Sequence, residues 1–360
     1  MFSLNDRETE YLLTLIRCAI KGEDAPSAQG IDVEKLLNLA DRQQVYNLIL
    51  PFLQKDDSID DEMKAQWRNY ELSNLRKTII VDNERRAICD ELEKEGIDYI
   101  FLKGLVIREY YPKTTMRQMG DNDILYDVSR RDDVLEIMKK NDFYLNVQSP
   151  ASDDFIKYPV TIEFHKRLFN PEDDFCLDLN VWDRAERVGN THRLVINKED
   201  NYIHTVAHLY KHYLFGGSSI RFLCDIYYLR QKENYDFDYI NSVFGEYNLD
   251  EFHNTLVNLC NALFEDGQSG ENEQNLLSVI LTGRAVNKPD DDLRPDLDEG
   301  KAKYVLGRAF PKKDFMKQIY PELNEKPYLL AICYIRRLFE RFKFSRDRIR
   351  KEINQVNKRK

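Results

Sequence analysis

The hydrophobic pattern of this chain changes period twice, and those changes constrain its architecture more than any single motif does. In the first 95 residues apolar side chains recur near helical spacing: "DVEKLLNLADRQQVYNLILPFLQ" carries Val33, Leu36, Leu37, Ala40, Val45, Leu48 and Ile49 in that rhythm. The stretch "DEMKAQWRNYELSNLRKTIIVDNERRAICDELEKEG" continues it and closes at Gly96, a residue type that commonly ends a helix. At Ile97 the texture turns to short β-rich runs, "IDYIFLKG", "GDNDILYDV", "FYLNVQ", "FIKY" and "VTIEFHKRLF", interleaved with the helical stretches "LVIREYYP" and "RRDDVLEIMKKND". Such interleaving predicts an α/β or α+β unit of roughly 90 to 110 residues. From about Val181 the helical period returns in "NYIHTVAHLYKHYLF" and "SSIRFLCDIYYLRQK", on either side of the turn Gly216-Gly217-Ser218. Three regions result: helical 1–95, an α/β core at 96–180, and helical 181–360 with a basic tail.

The 360 residues suffice for two or three packed units, taking ~150 residues per domain. With 42% hydrophobic and 32% charged residues the composition is that of a folded, soluble chain. The apolar runs "YLLAICYI" and "YLLTLIRCAI" fall far short of the ~20 residues that span a bilayer, so no membrane partner is expected. Six scattered cysteines without a CxxC pair, and no secretory segment, point to reduced thiols in the cytoplasm. The net charge of −10 argues against bulk binding to nucleic acid. Residues 336–360 nevertheless carry eleven basic and three acidic residues, which makes the tail either a solvated helix end or an RNA-binding or anionic-surface patch. The acidic loop "NKPDDDLRPDLDEG" lacks the spacing of a calcium loop and reads as solvated.

The stretch "MRQMGDNDILYD" concentrates the chemistry. Asp121 and Asp123 stand two apart at the head of an apolar run, so in a strand they share a face while Ile124 and Tyr126 take the other. Two neighbouring carboxylates repel unless a cation lies between them. A third acid, Glu163, alternates with Ile162 and Phe164 in "VTIEFHKRL" and shares its face with His165. If the two strands are adjacent, Asp121, Asp123 and Glu163 converge on a site for divalent cations with positions left open to phosphate. Gly120 is expected to admit a close approach, and the strand, glycine turn and helix at Lys103-Gly104 suit a phosphate.

"FLKGLVIREYYPKTTMRQMGDNDILY" followed by "IEFHKRL" resembles the uncharacterised nucleotidyltransferase family of the DNA polymerase β-like superfamily. That family carries an LKG turn, a Y-P, an R-x-x-GD-x-D-[ILV]-L segment and a later E-[LF]-H strand. The likeness extends to "LLNLADRQQVYNLIL", to "HLYKH" with "IRFLCDI", and to "AFPKKDFMKQIYPEL". It implies an α+β fold: a polymerase β-like core with a small mixed sheet, flanked by helical regions. It also implies transfer of a nucleoside monophosphate from a nucleoside triphosphate to an acceptor hydroxyl, with two Mg²⁺, or Mn²⁺, as cofactors. A catalytically silent member that binds a nucleotide or a partner protein is the alternative.

Carried over by resemblance, Asp121 and Asp123 are the metal pair and Glu163 the third carboxylate, either as metal ligand or as base to the acceptor. Lys103 and Gly104 stand where the superfamily usually has a Gly-Ser turn near the triphosphate, a departure that a lysine charge can offset. Arg117 is the candidate phosphate clamp. Asn122, between the two acids, is expected to face away from the metals. His165, Lys211, His212 and Asp225 are supporting candidates. His204, His208 and His212 form one helix stripe, which either borders the cleft or lends two ligands to zinc. Removing Asp121 or Asp123 as a charge is expected to end metal-dependent chemistry while leaving the fold intact, or slightly stabilised by relief of repulsion.

Overall fold

The structure is a computed structural model that describes residues 6–169, 177, 179–265, 267–284 and 286, with 313, 316, 317, 320, 323 and 326–335. The basic tail, the acidic loop and Cys176 lie outside the described residues. The other five cysteines are free and buried.

The front of the chain forms α1 (Arg7–Lys21), α2 (Val33–Arg42), α3 (Tyr46–Lys55) and α4 (Asp61–Glu95). The run expected to continue from Val33 through Ile49 is broken at Gln43–Val45, where Gln44 takes a φ of 57°. Tertiary bonding explains the break. The buried Gln43 amide donates to Leu281 O and accepts from Ile220 N, both at 2.9 Å, so it bridges distant parts of the chain. Helix α4 closes where expected, at Gly96 with φ 67°. The left-handed turn there lets Ile97 N bond Leu92 O at 2.9 Å and redirects the chain into a strand.

The next elements are β1 (Tyr99–Phe101), α5 (Gly104–Ile107), β2 (Asn122–Tyr126), α6 (Arg131–Lys140), β3 (Tyr144–Gln148), β4 (Ser152–Lys157) and β5 (Val160–His165). Helix α5 is a single turn that tightens into a 3₁₀ turn at Arg108–Tyr110, shorter than the stretch up to Pro112 suggested. Then follow α7 (Val181–Arg184), β6 (Glu186–Arg187), β7 (Arg193–Val195), α8 (Lys198–Phe215), α9 (Ile220–Lys232), α10 (Phe237–Glu246), α11 (Asp250–Phe264) and α12 (Glu271–Thr282).

Seven strands form one mixed sheet in the order β3-β4-β5-β2-β1-β7-β6. Strand β2 runs antiparallel to β1 but parallel to β5, and β7 runs parallel to β1. Strands β6 and β7 correct the expectation of purely helical structure beyond Val181. They are two and three residues long, and Leu194 alone among them is buried, so they leave no alternation to detect.

The sheet's two faces differ in chemistry because strand side chains alternate. Ile124, Tyr126, Ile162 and Phe164 pack against Ile88 and Leu92 of α4 and Val134, Ile137 and Met138 of α6. Each such fully buried side chain contributes about 1.5–3 kcal/mol. Asp123, Glu163 and His165 consequently emerge on the opposite face. Leu12 and Ile16 of α1 and Leu48 and Ile49 of α3 share one apolar core with Val206 of α8, Leu223 of α9 and Leu256 of α11. Helices that precede and follow the sheet in sequence are thus packed together.

Candidate active site

Between the polar face of the sheet and helices α8 and α9 lies a cleft of about 740 Å³, lined by Asp121, Asp123, Glu163 and His165 on one wall and by His204, His208, His212 and Arg221 on the other. The parallel pairing of β2 with β5 sets Asp123 opposite Glu163 and Leu125 opposite His165. Antiparallel β4 then sets Asp154 opposite Glu163. Three acids therefore form a row across three strands, Asp154, Glu163 and Asp123, with Asp121 just before β2.

Asp123 is the most buried member of this row. It accepts from Lys103 Nζ at 2.6 Å and lies 2.8 Å from His165 Nε2. Burial penalises its carboxylate, but the Lys103 charge and the hydrogen bond with His165 outweigh that and hold it well below the ordinary range. Burial likewise opposes the Lys103 ammonium, and Asp123 and Glu163 overcome it, so its pKa stays above that of an ordinary lysine. Asp121, exposed at the mouth, is pushed up by the charge of Asp123 and then by desolvation. His165 Nε2 is also 3.4 Å from Glu163 Oε1. Asp123, Glu163 and His165 each offer a ligand atom, and the three atoms lie within 4.8 Å of one another.

The sequence profile of the uncharacterised nucleotidyltransferase family matches residues 29–265, a span that contains the whole acid row and both walls of the cleft. The chain belongs to that family. It is therefore a nucleotidyltransferase, an enzyme that transfers phosphorus-containing groups. No curated protein and no solved structure matches it.

In this nucleotidyltransferase the turn after β1 is unusual. Lys103 takes φ 46° and ψ −121°, a conformation that costs a non-glycine residue about 1–3 kcal/mol and that clusters at functional sites. Its neighbour Gly104 is required for space: a Cβ there would stand 2.6 Å from Arg117 Nη1. At Gly120, which lines the cleft, a Cβ would meet no atom within 4 Å.

Arg117 is not free to clamp a phosphate with its whole fork. Its Nε and Nη2 donate to the two oxygens of Asp225, both at 2.8 Å, and both side chains are buried. Tyr111 adds a third bond, its hydroxyl donating to Asp225 Oδ1 at 2.8 Å. Asp225 thus ties α9 to the segment before β2. Asn122 points to the other face, where its amide donates to Thr161 O at 3.1 Å.

The histidine stripe of α8 lines the cleft along its length. His208 and His212 bring their Nε2 atoms to 3.3 Å, and His212 Nδ1 lies 3.2 Å from Gly216 O. Burial pushes His204 down to about 3 and His208 well below its ordinary value, so all three rings are neutral near pH 7. Among the described residues no third ligand joins them, and the zinc alternative has no complete donor set. Lys211 lines the same wall. Sequence reasoning missed Asp154, whose pKa burial and then Glu163 push up to about 7, and Arg221. The first was hidden because only strand pairing reveals which of Asp153 and Asp154 faces the site. Asp153 turns to the other face and binds Arg131 and Lys166.

Proposed function

We propose that this nucleotidyltransferase moves a nucleoside monophosphate from a nucleoside triphosphate to an acceptor hydroxyl on a small molecule, a protein or an RNA, using a polymerase β-like core built on the seven-stranded sheet. The observation that supports it is the pairing of Asp123 with Glu163 on adjacent parallel strands, with Asp121 beside them on the wall of one cleft.

The donor set fits a divalent cation. Asp123 and Glu163 supply hard oxygen donors suited to Mg²⁺, while the imidazole of His165 in the same cluster extends the fit to Mn²⁺, and Asp121 on the wall of the same cleft is the proposed further carboxylate. Bound by these residues, such ions supply neutralisation of phosphate charge and a lowered pKa for the attacking hydroxyl. The chain's own groups do the positioning. Asp123, ionised and locked by Lys103 and His165, gives the site a fixed negative point. Asp121 sits at the mouth, and Glu163, with its side chain 21% exposed, is placed to take the proton of an acceptor hydroxyl entering from solvent. Arg117 and Asp225 hold the wall against which the donor nucleotide lies. In-line transfer breaks the bond between the α-phosphorus and the bridging oxygen, and pyrophosphate leaves.

A second reading has one observation in its favour. The Lys103 ammonium already bonds Asp123 at 2.6 Å, a cation where a catalytic site would share that carboxylate with a metal. On this reading the cleft binds nucleotide without transfer. Incubation with each α-labelled nucleoside triphosphate and Mg²⁺ or Mn²⁺ separates the two: transfer predicts pyrophosphate release that Asp121→Asn and Asp123→Asn abolish. Nucleotide binding with no pyrophosphate release from any of the four triphosphates would sink the transfer reading.

A further inference from the structure

Three of the cationic side chains that line the cleft are engaged. Lys103 bonds Asp123, Arg117 is spent on Asp225, and Lys211 has an interaction of its own. Arg221 is different. It is the second residue of α9, it lines the cleft, and its Nε is withdrawn from solvent without a hydrogen-bond acceptor. Among the described residues its side chain has no ion-pair partner, and its guanidinium carbon lies 4.9 Å from the centroid of the Phe222 ring.

The reason lies one helical turn away. Asp225 is four residues along α9, the spacing at which an acid and an arginine normally pair. Both Asp225 oxygens are taken by Arg117, and Tyr111 adds to one of them. The pair that closes the site thereby leaves Arg221 without its natural counter-ion. Its backbone is nonetheless held firmly: Gln43 Oε1 accepts from Ile220 N at 2.9 Å, and Gln43 O accepts from Arg221 N at 3.3 Å. A cation fixed in place, partly desolvated and unpaired is costly in a folded protein unless an anion completes it. Burial, and then the neighbouring Arg117 charge, pull its pKa below the ordinary arginine value, and the nearby Asp225 charge offsets that only in part.

We propose that Arg221 is the anion-binding residue of the cleft and that its ligand is a polyphosphate, namely the β- and γ-phosphates of the donor nucleotide and the pyrophosphate formed from them. The planar fork of a guanidinium matches two phosphate oxygens at once. Arg221 lines the same cleft as Asp121 and Asp123, in which a triphosphate reaching toward the two acids would lie. The identity of the anion rests on the nucleotidyl-transfer reading; the existence of an anion subsite does not.

The test uses the full chain as wild type, Arg221→Gln and Arg221→Lys. Binding of sodium pyrophosphate in EDTA, and of a nucleoside triphosphate with Mg²⁺, is measured by calorimetry, with thermal melts alongside. The wild type should bind pyrophosphate at millimolar concentration or better and melt at higher temperature with it. Arg221→Gln should lose affinity for both by about ten- to a hundredfold, the loss of a charged hydrogen bond. It should melt no lower than wild type when no ligand is present, whereas Arg221→Lys should recover part of the affinity. Unchanged affinities in Arg221→Gln, or no pyrophosphate binding by the wild type, would overturn the proposal. If the wild type transfers label and Arg221→Gln keeps the same KM for the triphosphate, the subsite fails and nucleotidyl transfer stands. If pyrophosphate binding depends on Arg221 but no triphosphate is ever cleaved, the transfer reading fails and the subsite stands.

Discussion

Arg117 and Asp225, 108 residues apart in the chain, meet in a buried two-point pair, Nε and Nη2 each 2.8 Å from a carboxylate oxygen. The pair joins the segment that leads into β2 to helix α9, so the acid wall and the helical wall of the cleft are held at a set distance. Asp225→Asn should cost about 3–5 kcal/mol, the usual result of stripping a partner from a buried charge. Urea denaturation checks this, and the double substitution Arg117→Met with Asp225→Leu should recover much of the loss. A single mutant as stable as the wild type would show that the pair is not structural.

The two aspartates should part company in stability. The sequence suggested that removing either charge relieves repulsion, and the geometry limits that relief to Asp121, whose pKa is raised first by Asp123. Asp123 is stabilised by Lys103 and His165. Asp121→Asn is therefore expected to melt at or slightly above the wild-type temperature and Asp123→Asn clearly below it, in metal-free buffer. Both should lose metal-dependent label transfer.

Asp154 sets a pH dependence. Its pKa rises from 3.8 to about 7 on folding, so the folded chain holds a proton there that the unfolded chain releases. The associated stability is complete below about pH 4 and is lost as pH climbs through 7. Melts of the metal-free protein between pH 4.5 and 8 should show this decline beside the opposing histidine contributions. Asp154→Asn should remove that component and raise stability at pH 8 relative to the wild type. Parallel pH profiles for the two proteins would count against the assignment.

Divalent cations should stabilise the fold through the acid row. At a hundredfold excess over Kd the gain is about 2.7 kcal/mol, visible as a rise in melting temperature with Mn²⁺ or Mg²⁺. Glu163→Gln and Asp123→Asn should abolish it. Lys103→Met should melt lower without metal, because the acids lose their internal cation, and should bind metal more tightly, because nothing competes for Asp123. Equal metal affinity in wild type and Lys103→Met would exclude that competition.

Much of this architecture was legible before any coordinates. The end of α4 at Gly96, the strand at Ile100, the polar and apolar faces of "DNDILY" and "IEFH", and the helices around Gly216-Gly217 all appear where local pattern put them. Less visible were the break at Gln44, the one-turn α5, and strands β6 and β7, because each depends on a distant partner: Gln43 on Leu281 and Ile220, β7 on β1.

The same division runs through the site. Period and parity are local properties, so the sequence by itself determined that Asp121 and Asp123 share one side, that Glu163 and His165 share another strand's polar side, and that three histidines form one stripe. Pairing is not local. Only the tertiary structure decided that Asp123 stands opposite Glu163 and beside Lys103, that Asp154 joins the row, and that Asp225 goes to Arg117 and not to its helical neighbour Arg221. A carboxylate has two oxygens, and which cation reaches them first depends on how helices and strands distant in sequence are packed. That choice leaves Arg221 open to a ligand.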